Sequence, residues 1–158
     1  MKKLRAYIFQ PPQGKGSPFA GMTCIKENGD IDSPAVNTLL SVVQELSPRE
    51  YDLFESLMSR TSKTDIDPAE FGRPRWAGNE CVAWFGEPRA GKGHVLIANQ
   101  YVPAYSEDDG EPQRFTFEQL RLAMRVWRDF KSQVARKGIL AMLGETMEAP
   151  FPGSNENG

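Results

Sequence analysis

The chain has 158 residues, 39% of them apolar and 25% charged, with a net charge of -2. That is an ordinary globular composition, long enough for a core that needs no metal or disulfide. The slight acidity disfavours a dedicated nucleic-acid binder, which usually carries a basic excess. Met1-Lys2-Lys3 has the charge of a signal-peptide start, but the apolar run behind it is only Ala6–Phe9 and Gln10-Pro11-Pro12 ends it. A secretory core needs about 7–15 apolar residues and a membrane span about 20. A cytoplasmic protein with no membrane partner is expected. There Cys24 and Cys81, which share no close-spaced motif, should be free thiols.

Leu4–Phe9 reads as a first strand and Met22–Lys26 as a second, separated by a loop rich in Pro and Gly, with a turn at Asn28-Gly29. Ser33-Pro34 suits a helix start, Ser as N-cap and Pro at the first helical position. Val36, Leu39, Leu40, Val43 and Leu46 then recur at three- and four-residue spacing. Ser47 and Glu50 form a capping box for a second helix, whose apolar face is Tyr51, Phe54, Leu57 and Met58. Asp67-Pro68-Ala69-Glu70 repeats that grammar for about one turn. Arg73–Gly78 reads as a loop holding Trp76.

Cys81–Phe85 and His94–Val102 read as strands around Gly86-Glu87-Pro88-Arg89-Ala90-Gly91-Lys92-Gly93. This segment has the glycine and lysine spacing of a phosphate-binding loop. Gly93 stands where that motif needs Ser or Thr for magnesium, and a strand follows where it needs a helix to face the phosphates. A hairpin is therefore predicted. Gly14-Lys15-Gly16-Ser17 reads as a flexible turn.

Tyr105–Arg114 reads as an acidic surface loop. Thr116 and Gln119 then form a capping box, Phe115 and Leu120 a hydrophobic staple, and Leu120, Ala123, Met124, Trp127 and Val134 one apolar face. Lys137-Gly138 ends this helix. Ile139–Leu143 reads as an extra turn. The expectation is an α+β fold in one domain, residues 1–149, with an antiparallel sheet and about three helices packed on it. Residues 150–158 read as a disordered tail.

Candidate chemistry is sparse. His94 is the only histidine, with no second His to share a metal and no evident nucleophile. Cys24, Cys81 and His94 lack the close pairs of a zinc site. A Cys81–His94 pair across the hairpin is conceivable, although Cys81 suits a small core residue better. No catalytic, cofactor-binding or metal-binding residue is assigned. Two charged surfaces remain as candidates for partner binding. One is Glu107, Asp108, Asp109 and Glu111, which suits a basic partner. The other is Arg121, Arg125 and Arg128, at i, i+4 and i+7 on one helix stripe, which suits phosphates or an acidic protein. The plainer reading of each, a solvated face, is the one favoured, and Trp76, Trp84 and Trp127 suit core anchors.

The block from Ile97-Ala98-Asn99-Gln100-Tyr101-Val102, through the acidic loop, to Phe115-Thr116-Phe117-Glu118-Gln119-Leu120 and Val126-Trp127-Arg128-Asp129-Phe130 resembles small bacterial immunity proteins. These protect cells against polymorphic toxins, including those of contact-dependent inhibition. The resemblance implies a cytoplasmic, non-enzymatic protein that binds and blocks one cognate toxin. It transfers no functional residue position by position. An enzyme using carboxylates and His94, and a nucleic-acid module using the arginine stripe, are the alternatives.

Overall fold

In a computed structural model, residues 1–32, 34–61, 73–87, 89–100 and 112–153 are described. Their elements are antiparallel strands and α-helices, the expected α+β class, and the strands fall into two sheets of three and four. The chain divides into two compact units. A terminal unit comprises Met1–Val36 and Arg121–Gly158, and a central unit comprises Asn37–Leu120.

The terminal unit is organised by β1 (Lys3–Phe9), which lies between β2 (Phe19–Ile25) and β7 (Thr146–Pro150), antiparallel to both. Side chains alternate across the sheet. Leu4, Ala6 and Ile8 are buried, opposite Cys24, Met22 and Ala20 of β2. The other face carries Lys3, Arg5, Tyr7 and Phe9 opposite Ile25, Thr23, Gly21 and Phe19. β2 thus begins three residues before the expected Met22. The register explains the extension: the Tyr7 ring lies over Gly21, where a Cβ would be 3.8 Å from it. Phe9 and Phe19 then meet with ring centroids 5.1 Å apart.

β7 takes Pro150 out of the expected tail, of which residues 154–158 lie outside the described residues. Its register places Pro150 opposite Lys3, and the Phe151 amide donates to the Lys2 carbonyl. Proline is tolerated there because β7 is an edge strand. Phe151 is buried, which anchors the end of the strand. On the charged face Glu148 accepts from Arg5 at 2.7 Å and pairs with Lys3 at 3.4 Å. The Arg5 hydrogen bond in particular holds the Glu148 carboxyl below its ordinary pKa.

In the central unit, α1 (Asn37–Glu45) and α2 (Pro48–Thr61) pack on a meander of β3 (Trp76–Ala77), β4 (Cys81–Phe85), β5 (His94–Asn99) and β6 (Gln113–Thr116). α1 starts three residues after Pro34, and Ser33 lies outside the described residues. Its Thr38 amide and hydroxyl both donate to Gln113 Oε1 from β6, so a side chain of the sheet satisfies the exposed end of the helix. α2 starts as expected, with Glu50 Oε1 accepting from the Ser47 amide at 3.0 Å.

Two of these strands correct the expected loops. β3 lies inside Arg73–Gly78, and β6 begins within Tyr105–Arg114 and absorbs Phe115 and Thr116. Each is made by its neighbour: Trp76 pairs with Ala83, and Phe115 with Val95. Phe54 of α2 sits edge-on to Trp76 and Phe85, centroids 5.5 and 5.0 Å away. β5 ends at Asn99, and Tyr101 and Val102 of the expected strand lie outside the described residues.

α3 (Phe117–Lys137) opens on the expected capping box. The Thr116 amide donates to Gln119 Oε1, and the Gln119 amide donates to Thr116 Oγ1. Its apolar face runs through Leu120, Ala123, Met124, Trp127 and Phe130, all buried. The helix closes at Gly138, whose φ of +85° is a conformation that favours glycine. The expected extra turn is a 3₁₀ turn over Ile139–Met142.

Candidate functional site

The Gly86–Gly93 segment is a hairpin connection. β4 and β5 pair from Phe85↔Val95 to Cys81↔Asn99, and the Gly86 amide donates to the His94 carbonyl. Gly86, Gly91 and Gly93 have φ of +71°, +95° and +76°, so the glycines serve the turn. Ala90 tucks against Trp84 and Leu96, and the Arg89 guanidinium lies 4.3 Å over the Trp84 ring. Lys92-Gly93 leads into a strand rather than a helix, and the first amide of α3, at Phe117, donates to the Gly93 carbonyl. His94 Nδ1 is 2.9 Å from the Lys92 carbonyl. The carbonyl can only accept, so this contact is a hydrogen bond when Nδ1 carries a proton.

The Cys81–His94 pair does not form. Cys81 is opposite Asn99, and His94 stands five residues further along β5, about 17 Å at strand rise. Both cysteines are buried free thiols. Burial raises the pKa of each, reinforced at Cys24 by Asp32 and at Cys81 by Glu80 and Glu45. A raised pKa lowers the thiolate fraction on which a nucleophile depends. Among the described residues, no three His, Cys, Asp or Glu side chains gather as metal ligands. Trp76, Trp84 and Trp127 are buried anchors.

A polar cluster in the central unit joins α1 to the β3–β4 turn. The Asn79 amide donates to Glu45 Oε1, Ser41 donates to Glu80, and Gln100 Nε2 donates to the carbonyls of Gly78 and Asn79. Nearby, the Trp76 indole donates to Glu50 Oε2. Donation from the Ser47 amide, then from Trp76, lowers the Glu50 pKa. These carboxylates clamp the β3–β4 turn and the start of α2.

Of the two charged surfaces, Glu107, Asp108, Asp109 and Glu111 lie outside the described residues. Arg121, Arg125 and Arg128 are exposed on α3, on the side away from its buried residues. Ser132 and Arg136 are exposed too and continue the same line at i+11 and i+15, an extension that the helical period could have supplied. Lys131 flanks the stripe, 5.6 Å over the Trp127 ring. α3 carries six of the chain's 19 cationic side chains but two of its 21 carboxylates, Glu118 and Asp129. The helix is thus strongly basic within an acidic chain. Sequence reasoning also missed the exposed aromatic pair Phe9 and Phe19, because their exposure follows from the β1–β2 register.

No helix among the described residues is long and apolar enough to cross a membrane. Compared with family models, curated proteins and solved structures, the chain matches none of them.

Proposed function

We propose that this protein is a toxin-immunity protein of the cytoplasm, which binds and neutralises one cognate bacterial toxin domain by direct contact, without cofactor or turnover. The observation that carries this reading is the exposed cationic face of α3, set on a helix whose opposite face is buried. Such a helix holds its charges in fixed register, which suits selection of one protein partner. The reading is also motivated by the resemblance of Ile97–Phe130 to immunity proteins. Buried thiols with raised pKa values fit a role that does not depend on a reactive cysteine. Co-expression of the chain with the product of the neighbouring reading frame, the proposed toxin, tests the proposal. Cells should survive, and the two proteins should co-elute on a sizing column. Unprotected cells with no complex would overturn it.

A further inference from the structure

We infer that the partner of this protein presents an acidic surface and seats it along the α3 stripe of Arg121, Arg125, Arg128, Ser132 and Arg136. This deepens the immunity reading and rests on it for the partner's identity. The stripe spans 15 residue steps, about 22 Å at helical rise, a length suited to one face of a protein contact. Four of its five members are arginines, whose planar forks bind carboxylates bidentately. Glu118, three residues before Arg121, and Asp129, four after Arg125, share this side of the helix, whose four arginines outnumber them and leave the face net cationic.

A phosphate backbone fits the same residues less well. Outside α3 the chain has more carboxylates than cations, which opposes the long-range attraction on which polyanion binding depends. The aromatic residues of this helix, Phe117, Trp127 and Phe130, are all buried, so they offer no base-stacking platform. Discrete carboxylates on a folded partner meet the stripe without either requirement.

Arg121 and Arg128 hold interactions of their own within the chain, so the test rests on Arg125 and Arg136. The full-length protein, Arg125→Glu/Arg136→Glu and the neutral Arg125→Gln/Arg136→Gln are titrated at low salt with poly-L-glutamate and with oligothymidylate of equal charge. Association with the adjacent toxin domain is timed in parallel. Wild type should bind poly-L-glutamate more tightly than oligothymidylate. The charge reversal should abolish that binding and slow toxin association by about tenfold or more, with the gap closing at high salt. The neutral pair should fall between. Unchanged urea midpoints show that the variants fold. Tighter binding of oligothymidylate would overturn the inference, as would no binding of poly-L-glutamate. A toxin complex that ignores the reversal would also overturn it and leave the immunity reading standing. Poly-L-glutamate binding lost on reversal, with no wild-type toxin complex, would sustain the acidic partner and sink the immunity reading.

Discussion

The two sheets bury their side chains in different ways. The central meander draws on a continuous stretch of chain, and its strands are apolar on both faces: Phe85, Val95 and Ile97 are buried on one, Trp84, Leu96 and Ala98 on the other. The terminal sheet joins the first residues to residues 146–150 around β1, and keeps one face partly open, with Arg5, Glu148, Phe9 and Phe19 on it. Sequence proximity therefore does not distinguish strand from loop here. What distinguishes them is whether a neighbour supplies the missing backbone partner. A similar aromatic residue should consequently matter very differently in the two sheets.

The largest effect should come from Phe54→Ala. Phe54 is fully buried between Trp76 and Phe85, so its loss should cost about 3–5 kcal/mol in urea melts. A cost below that of an ordinary surface change would break the distinction between the sheets.

Glycines sharpen the contrast. A Cβ at Gly78 would meet the Trp76 ring and lie 2.6 Å from both Glu45 oxygens. Gly78→Ala should therefore destabilise by about 1–3 kcal/mol, because a tightly held ring and a hydrogen-bonded carboxylate must both move. At Gly21 the same methyl finds ordinary contact with Tyr7 and no unusual backbone angle. Gly21→Ala should stabilise by about 0.4–1 kcal/mol through the unfolded chain. Thermal melts that show equal shifts at the two sites would contradict the packing described.

Glu50→Ala should cost about 0.5–2 kcal/mol by removing the acceptor at the start of α2. The sign with pH follows from the lowered pKa. Ionised Glu50 contributes its full stability above its ordinary value of 4.5, and the contribution is lost as pH falls through the lower folded value. The gap between wild type and Glu50→Ala should therefore narrow on acidification; a widening gap would show that the carboxylate is not what Ser47 and Trp76 bind. At the small end, Phe19→Ala and Arg125→Ala should each change stability by under about 0.5 kcal/mol, since both are exposed.

The helices were legible because their signals are local. Ser47 with Glu50, and Thr116 with Gln119, announce helix starts through residues three apart, and apolar spacing marks the buried faces. The β4–β5 hairpin was equally clear from two apolar runs around glycines. β3, β6 and β7 were not, for one physical reason. Two, four and five residues carry too little periodicity, and their pairing depends on Ala83, Val95 and Lys3. Thr116 in particular belongs both to the end of β6 and to the cap of α3, so its helix signal hid the strand. For the candidate site, the spacing of Arg121, Arg125 and Arg128 gave the exposed face, while Arg136 went unread because Ser132 interrupts the run of charge.

Titration calorimetry of the purified chain with the product of the neighbouring reading frame, the proposed toxin, tests the central claim most directly. A saturable one-to-one complex that abolishes the toxin's activity is the expected result. No heat of binding, with the toxin's activity intact in the presence of excess folded protein, would contradict it.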